Sequence, residues 1–332
     1  MNVTVIVCTY NRSQTLAQSL ESIAAQVGPD PLGWEVLVVD NNSTDRTRDV
    51  VDELSKKWPG RFRYVFEPQQ GLSFARNAGI RNSLGSVLAF TDDDVTVAPG
   101  WLQNLTSSLE TGQWAASGGR IIPIWAKAIP RWLSTNDPHT MGPFVAFDAG
   151  TMAGALHRPP YGANMAFRKE VFEKYGGFRT DLGRTAMSLQ GREDIELGSR
   201  LLAAGLRLRY EPDAVVYHPA PENRMRKDFV LRWWYGFGYS EVVELGPPSS
   251  GRWVLYGIPL YLFRRMARWI LQWMISINAA RRFACKRNVW YWAGITRACY
   301  ERPRHQEVPA GVSSELSGSQ SLQKPFDINA PR

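Results

Sequence analysis

Ser86-Val87-Leu88-Ala89-Phe90-Thr91-Asp92-Asp93-Asp94-Val95 runs from an apolar stretch of strand length straight into three consecutive acids. An apolar run that stops in a carboxylate cluster places the acids at the end of a strand rather than on the solvated face of a helix. Aspartate is common in turns and helix caps, so the cluster read alone fits a turn as well as a ligand site. Hard divalent cations such as Mg²⁺ or Mn²⁺ take oxygen ligands, so the same cluster also suits a metal-bound diphosphate.

Upstream lie three more runs of strand character, Val3–Cys8, Glu35–Val39 and Arg61–Phe66. Helical periodicity fills the intervals: Leu16, Leu20, Ile23, Ala24 and Val27 after Ser13 as the expected N-cap, then Val50, Val51 and Leu54 after Asp45 as a second cap. This alternation predicts βαβ units and a parallel sheet, the α/β class. Polar residues gather after each strand, at Thr9–Arg12, Asp40–Asp45 and Asp92–Asp94. Open α/β sheets bind ligands outside the carboxyl ends of their strands, so the three groups are expected to converge on one crevice. The first turn, Thr9-Tyr10-Asn11-Arg12, is not G-x-G-x-x-G, which excludes a dinucleotide-binding dehydrogenase.

Downstream, the pattern predicts a helix over Trp101–Leu109, a strand over Ala115–Ile122 and a long irregular stretch to about residue 160 with room for a mobile loop. A strand–helix unit within Tyr161–Phe178 follows, then a helix from about Arg192 to Ala204 and two strands, Leu206–Tyr210 and Ala214–His218. Glu193 and Asp194 open that helix, where the dipole favours acids whether or not they do chemistry. His218 closes an apolar run and fits either a structural role or a metal site.

Five segments resemble, in order and separation, the family 2 glycosyltransferases of the GT-A fold: Val5–Arg12, Val38–Asp45, Gly71–Gly79, Thr91–Asp94 and Glu193-Asp194. The resemblance covers roughly the first 220 residues. It implies inverting transfer of a sugar from a nucleotide-sugar, expected to be UDP-linked, with a divalent metal, Mn²⁺ or Mg²⁺. Carried over residue by residue, it puts Thr9 and Tyr10 at the nucleobase, with Asn11 and Arg12 in the same donor loop. Asp40 would accept a hydrogen bond from a uracil-type N–H, with Asn42 beside it, and Arg76 would lie near the base and diphosphate. Asp93 goes to the donor ribose or sugar and Asp94 to the metal, with Asp92 able to assist either; His218, outside the resembling segments, is a candidate for the metal or the diphosphate. The acid pair supplies the base, Asp194 for preference and Glu193 as its companion. Asn164 is placed beside an acceptor sugar. An Asx turn at Asp40, a solvated helix charge at Arg76 and a turn at Asn164 remain open as structural readings, and a helix-start turn and close packing account for Gly71 and Gly79.

A chain of 332 residues with 44% hydrophobic and 12% aromatic content can bury a full core, which excludes a wholly disordered protein. Cys8, Cys285 and Cys299 form no C-x-x-C pattern and fit a reducing cytoplasm, and the N-terminal run carries no signal-peptide pattern. The net charge of +8 is concentrated in residues 223–304, where 15 Lys+Arg face 4 Asp+Glu. Within it, Trp253–Ala280 reads as an interfacial amphipathic helix. Arg264, Arg265, Arg268 and Gln272 form its polar stripe, and Leu262, Phe263, Trp269, Ile270, Trp273 and Met274 fill much of the rest. The central arginines disfavour a bilayer span. A helical domain packed on the core, or an oligomer interface, is the alternative.

The expected organisation is a GT-A domain over residues 1–222, with a nucleotide-sugar half 1–100 and an acceptor half 101–222. A basic membrane-associating helical region, 223–304, and a disordered tail, 305–332, complete it. Expected partners are the nucleotide-sugar, a saccharide or lipid-linked acceptor of surface polysaccharide assembly, and the inner face of the cell membrane, at which a cytoplasmic protein would sit peripherally; an oligomer is left open. Nucleic acid is not expected, because no recognised module accompanies the charge. A catalytically silent membrane-surface scaffold keeping the same shell is the competitor, and it has no chemical need of Asp40, Asp93, Asp94 and Asp194.

Overall fold

The computed structural model describes residues 2–26, 33–186, 188–248 and 253–301. The expectations for Val27 and for the tail 305–332 lie outside the described residues.

The first hundred residues form β1 (Val3–Thr9), α1 (Ser13–Ala24), β2 (Trp34–Asp40), α2 (Thr47–Lys57), β3 (Phe62–Phe66), α3 (Leu72–Asn82) and β4 (Val87–Asp92). These four strands are parallel and lie in the order β3-β2-β1-β4. The direction of strand addition therefore reverses between β1 and β4. At such a switch the two connections leave on opposite faces and open a crevice at the strands' carboxyl ends.

The sheet is continued by β5 (Thr96–Val97), α4 (Trp101–Thr106), β6 (Ala116–Trp125), α5 (Pro138–Met141), β7 (Gly154–Leu156), β8 (Asn164–Arg168), α6 (Lys169–Tyr175), α7 (Glu193–Ala203) and β9 (Leu208–Ala220). β8 runs antiparallel to β4 and to β6, β9 runs parallel to β6, and β5 and β7 flank β9 antiparallel. The result is a mixed α/β fold about one nine-stranded sheet.

Alternate strand residues feed two apolar layers, as period-two side-chain geometry requires. Val5, Val7, Val36 and Val38 meet Leu16, Leu20 and Trp101 on one face. Ile6, Leu37 and Phe90 meet Ala75, Ala78 and Leu197 on the other. Gly79 lies directly on Ile6, where a β-carbon would collide with that side chain, so α3 packs tightly on β1. Gly71, at φ 144°, makes the turn that starts α3.

Two local expectations are corrected. Ser13 does not cap α1 but is its first residue, and its N–H donates to Asp45 Oδ2 at 2.9 Å. The other oxygen of Asp45 accepts from the Thr47 N–H at 3.1 Å, so one carboxylate serves the starts of α1 and α2 and ties their loops together. Leu206–Tyr210 and Ala214–His218 are not two strands. They belong to the single β9, whose register against β6 jumps from Gly119–Glu211 to Arg120–Val215 and leaves the residues between in a bulge.

Beyond β9 come α8 (Lys227–Leu245), the hairpin of β10 (Val254–Leu255) and β11 (Ile258–Pro259), α9 (Leu260–Ile275) and α10 (Ala279–Glu301). Trp234, Phe237, Tyr291, Trp292 and Ile295 build a third core with Leu133 and Phe144 from the irregular stretch. Gly238 and Gly294 let α8 and α10 touch, since a β-carbon on either would strike the other helix's backbone. The expected polar stripe of α9 is corrected in part: Arg265 stacks its guanidinium over Trp292 at 4.8 Å, while Leu262, Met266 and Trp269 turn inward. Among the described residues no helix is long and apolar enough to cross a membrane.

Candidate active site

The strand-end crevice between β1 and β4 holds a cavity of about 310 Å³. Thr9, Tyr10 and Arg12 reach it from the loop after β1, Asp92 and Asp93 from the end of β4. Arg76 on α3 and the acid pair at the start of α7 line the far side.

Asp92, which lines the cavity, forms with Asp94 and His218 behind it a corner whose ligand atoms lie within 4.8 Å of one another. His218 Nε2 stands 3.7 Å from Asp92 Oδ2 and 3.7 Å from Asp94 Oδ1. Its Nδ1 lies 3.1 Å from the Pro219 carbonyl, which can only accept, so Nδ1 donates there and Nε2 is the nitrogen turned to the acids. Among the described residues Asp94 Oδ1 is buried without a hydrogen-bond partner. A buried orphan acceptor, a second carboxylate and an oriented imidazole suit a divalent cation. Asp92, left open above between donor and metal, stands with Asp94 and His218 in the metal-type corner, while Asp93 points to Arg12 at 2.8 Å. Burial pushes the Asp93 carboxyl up to about 6, against the pull of Arg12.

The acid pair divides. Glu193 is buried and accepts from Arg76 Nη1 at 2.7 Å, an ion pair whose two side chains are each about 5% exposed. Burial, then the charge of Asp194, raises the Glu193 carboxyl above its ordinary range. Asp194 is half-buried and faces the cavity, its oxygens held at 2.8 Å by the N–H groups of Gly162 and Ile195. A β-carbon at Gly162 would run into the Arg76 guanidinium, which would have to shift within its ion pair with Glu193.

Other expected site residues lie elsewhere. Asp40 is buried outside the cavity wall, accepting from the Ser43 N–H and the Tyr64 hydroxyl, both at 2.8 Å. Burial and that bond push the Tyr64 phenol up to about 12. Asn11 and Asn42 adopt left-handed φ, and Asn11 spends its side chain on Thr44, so both shape loops rather than line the cavity. Asn164 is fully buried and bonds Trp101 Nε1 and the carbonyls of Arg120 and Ala214, a knot within the sheet rather than a surface for a sugar.

Several lining residues were missed. Arg224, just past β9, donates to Asp94 Oδ2 at 3.0 Å, and Arg184, before α7, enters the wall beside Asp92 and Glu193. Arg192 holds a left-handed φ of 76° immediately before the acid pair, fixed by Glu244 at 2.5 Å and Glu241 at 3.3 Å from α8. Trp233 and Phe237, stacked at 5.1 Å, bring α8 into the wall. The one signal was the density of Arg and Trp after residue 223, which was read as a membrane feature.

Comparison with known proteins identifies the family and the fold. The family model described as glycosyl transferase family 2 matches residues 4–176. The succinoglycan biosynthesis protein ExoM of Rhizobium meliloti (strain 1021) is 33% identical over 225 residues, 68% of this chain and 69% of its own. A glucosyl-dolichyl phosphate glucuronosyltransferase of Haloferax volcanii is 29% identical over 260 residues, 75% of this chain and 80% of its own. Among solved structures, the mannosyltransferase PcManGT from Pyrobaculum calidifontis, in complex with GDP-Man and Mn²⁺, superposes with a TM-score of 0.56 at 20% identity. The match covers 93% of this chain and 76% of that one. S. aureus TarS 1-349 in complex with UDP-GlcNAc gives 0.53 at 14% identity, covering 87% and 90%. At these identities the two structures speak to the fold, which is GT-A-like.

Proposed function

We propose, from the premise that the chain belongs to glycosyl transferase family 2, that this glycosyltransferase moves a sugar with inversion from a UDP-linked donor to a saccharide or lipid-linked saccharide of a surface glycan. One observation carries the reading: the cavity that Asp194 faces is also lined by Asp92, which belongs to the Asp92–Asp94–His218 group, while the neighbour of Asp194, Glu193, is tied up by Arg76. The relatives named for succinoglycan biosynthesis and for glucosyl-dolichyl phosphate support the acceptor class.

In this reading Asp92, Asp94 and His218 would hold Mn²⁺ or Mg²⁺, which supplies charge neutralisation for the departing diphosphate. Thr9 and Tyr10 flank the nucleoside, and Arg12 holds Asp93 toward the donor. Arg184 and Arg224 are the wall cations that face the leaving group. Asp194 takes the acceptor hydroxyl's proton as its oxygen attacks the anomeric carbon from the face opposite the diphosphate. The Gly162 and Ile195 N–H groups fix that carboxylate, so its orientation is set before substrate arrives. Arg76 and Glu193 position the helix start and neutralise one another.

The reading includes a station at the cytoplasmic face of a membrane, supported by the exposed apolar surface described below. The silent-scaffold alternative is set aside because the family is one of glycosyltransferases. Incubating the purified protein with a panel of UDP- and GDP-sugars and saccharide acceptors, with the product's anomeric configuration read by NMR, tests the proposal. Transfer from a UDP-sugar with inversion supports it; retention or exclusive use of GDP-sugars contradicts it.

A further inference from the structure

α9 has two apolar faces, and among the described residues only one of them packs on the protein. Leu262, Met266 and Trp269, spaced three and four apart, turn inward. Leu260, Phe263, Ala267, Ile270, Leu271 and Met274 fall within an arc of about 100° on the other side. All six are exposed, Met274 at 60%. The hairpin that leads into α9 adds Trp253 at 72% and Tyr256 at 79%, and it is joined to the helix by the Leu260 N–H donating to the Trp253 carbonyl at 3.0 Å. Past the helix end Ile277 stands 98% exposed. Contiguous exposed apolar surface of this kind marks a docking face.

The charges around it specify the occupant. Arg264 and Arg268 border the arc on one side, and Arg281 and Arg282 are exposed at the start of α10, Arg282 over the Trp273 ring at 5.9 Å. From Gly246 to Tyr300 the sequence has nine Lys+Arg and not one Asp or Glu. A second copy of the chain docking by the same face would oppose like charges, which a closed two-fold contact cannot relieve. An anionic bilayer accepts both features at once: apolar side chains enter the acyl boundary, aromatics sit at headgroup depth and guanidiniums meet phosphates.

We propose that the β10–β11 hairpin and the outward arc of α9 dock this protein flat on an anionic lipid bilayer, with Arg264, Arg268, Arg281 and Arg282 against the headgroups. A helix of 16 residues, about 24 Å long, lies in the interface rather than across it. The core of α8 and α10 on which α9 sits also supplies Trp233 and Phe237 to the cavity wall, so docking presents the cavity near the lipid surface. This inference stands on the surface alone and does not depend on the donor or acceptor assigned above.

Vesicle flotation of the full chain tests it, with phosphatidylcholine vesicles compared with vesicles containing phosphatidylglycerol. The expected result is saturable binding to the anionic vesicles that weakens as salt is raised. Leu271→Glu with Met274→Glu reduces partitioning about tenfold or more, Arg264→Glu with Arg268→Glu removes the preference for anionic lipid, and Met152→Glu, on a remote exposed residue, changes nothing. Unaltered thermal unfolding by circular dichroism in each variant excludes misfolding as the cause. Absence of vesicle binding, or binding that survives the Leu271 and Met274 changes, overturns the proposal. So does self-association in solution that those changes abolish, which would assign the arc to a second copy.

Discussion

Arg224 Nη2 lies 3.0 Å from Asp94 Oδ2, on a carboxylate that also belongs to the Asp–Asp–His corner. Arg12 reaches the same oxygen at 3.2 Å. A guanidinium and a divalent cation compete for one anion, so the arginine must be displaced or share the carboxylate when metal arrives. Arg224→Ala is therefore expected to tighten binding of Mn²⁺ alone by several-fold, up to about tenfold, while weakening Mn²⁺-dependent binding of a nucleoside diphosphate. Electron paramagnetic resonance of free Mn²⁺ during titration reads the first effect, and unchanged or weaker metal binding would disprove the competition.

The unequal environments of Glu193 and Asp194 separate their substitutions. Asp194→Asn keeps the shape but only one acceptor oxygen, so it retains one of the two N–H contacts from Gly162 and Ile195; nucleotide binding should survive while transfer falls about 10²- to 10⁴-fold. Glu193→Gln leaves the buried Arg76 without its counter-charge and should cost about 3–5 kcal/mol of stability. Denaturant unfolding combined with kcat distinguishes the two, and equal stability loss in both variants would erase the division of roles.

Much of this was legible in the sequence, because it is local. Strand-end acids and periodic helices announced β1, β2, β4 and the crevice at the switch between β1 and β4. What escaped was non-local. Glu211-Pro212-Asp213 reads as a turn between strands, yet a bulge against β6 absorbs it. Both arcs of α9 are apolar, so composition alone does not say which one packs. Arg224, Trp233 and Phe237 enter the cavity only because α8 folds back over it, and no local pattern carries that contact.

The contact of α8 with α10 rests on missing side chains. Gly294→Ala would press a β-carbon into the Tyr235 backbone carbonyl, which a side-chain rotation cannot relieve. A loss of about 1–3 kcal/mol is expected, read as a lowered denaturation midpoint at an unchanged slope. An unaltered midpoint would mean that the helices separate at no cost.

Burial pushes the Cys8 thiol up to about 12, against the favourable charge of Arg76, although the residue lines the cavity. With so little thiolate near pH 8, Cys8 should resist disulfide reagents in the native state. Titration with a chromogenic disulfide should count three thiols in denaturant and none rapidly before it, since Cys285 and Cys299 are buried. Fast native labelling at Cys8 would contradict this environment.

The central claim is a metal-dependent diphosphate site built on Asp92, Asp94 and His218. Calorimetric titration with UDP and with GDP, each with and without Mn²⁺, tests it most directly. UDP binding that requires Mn²⁺ and is lost in Asp94→Ala is the predicted result. Binding of neither nucleotide under any condition, or UDP binding indifferent to Mn²⁺ and to Asp94, would contradict it.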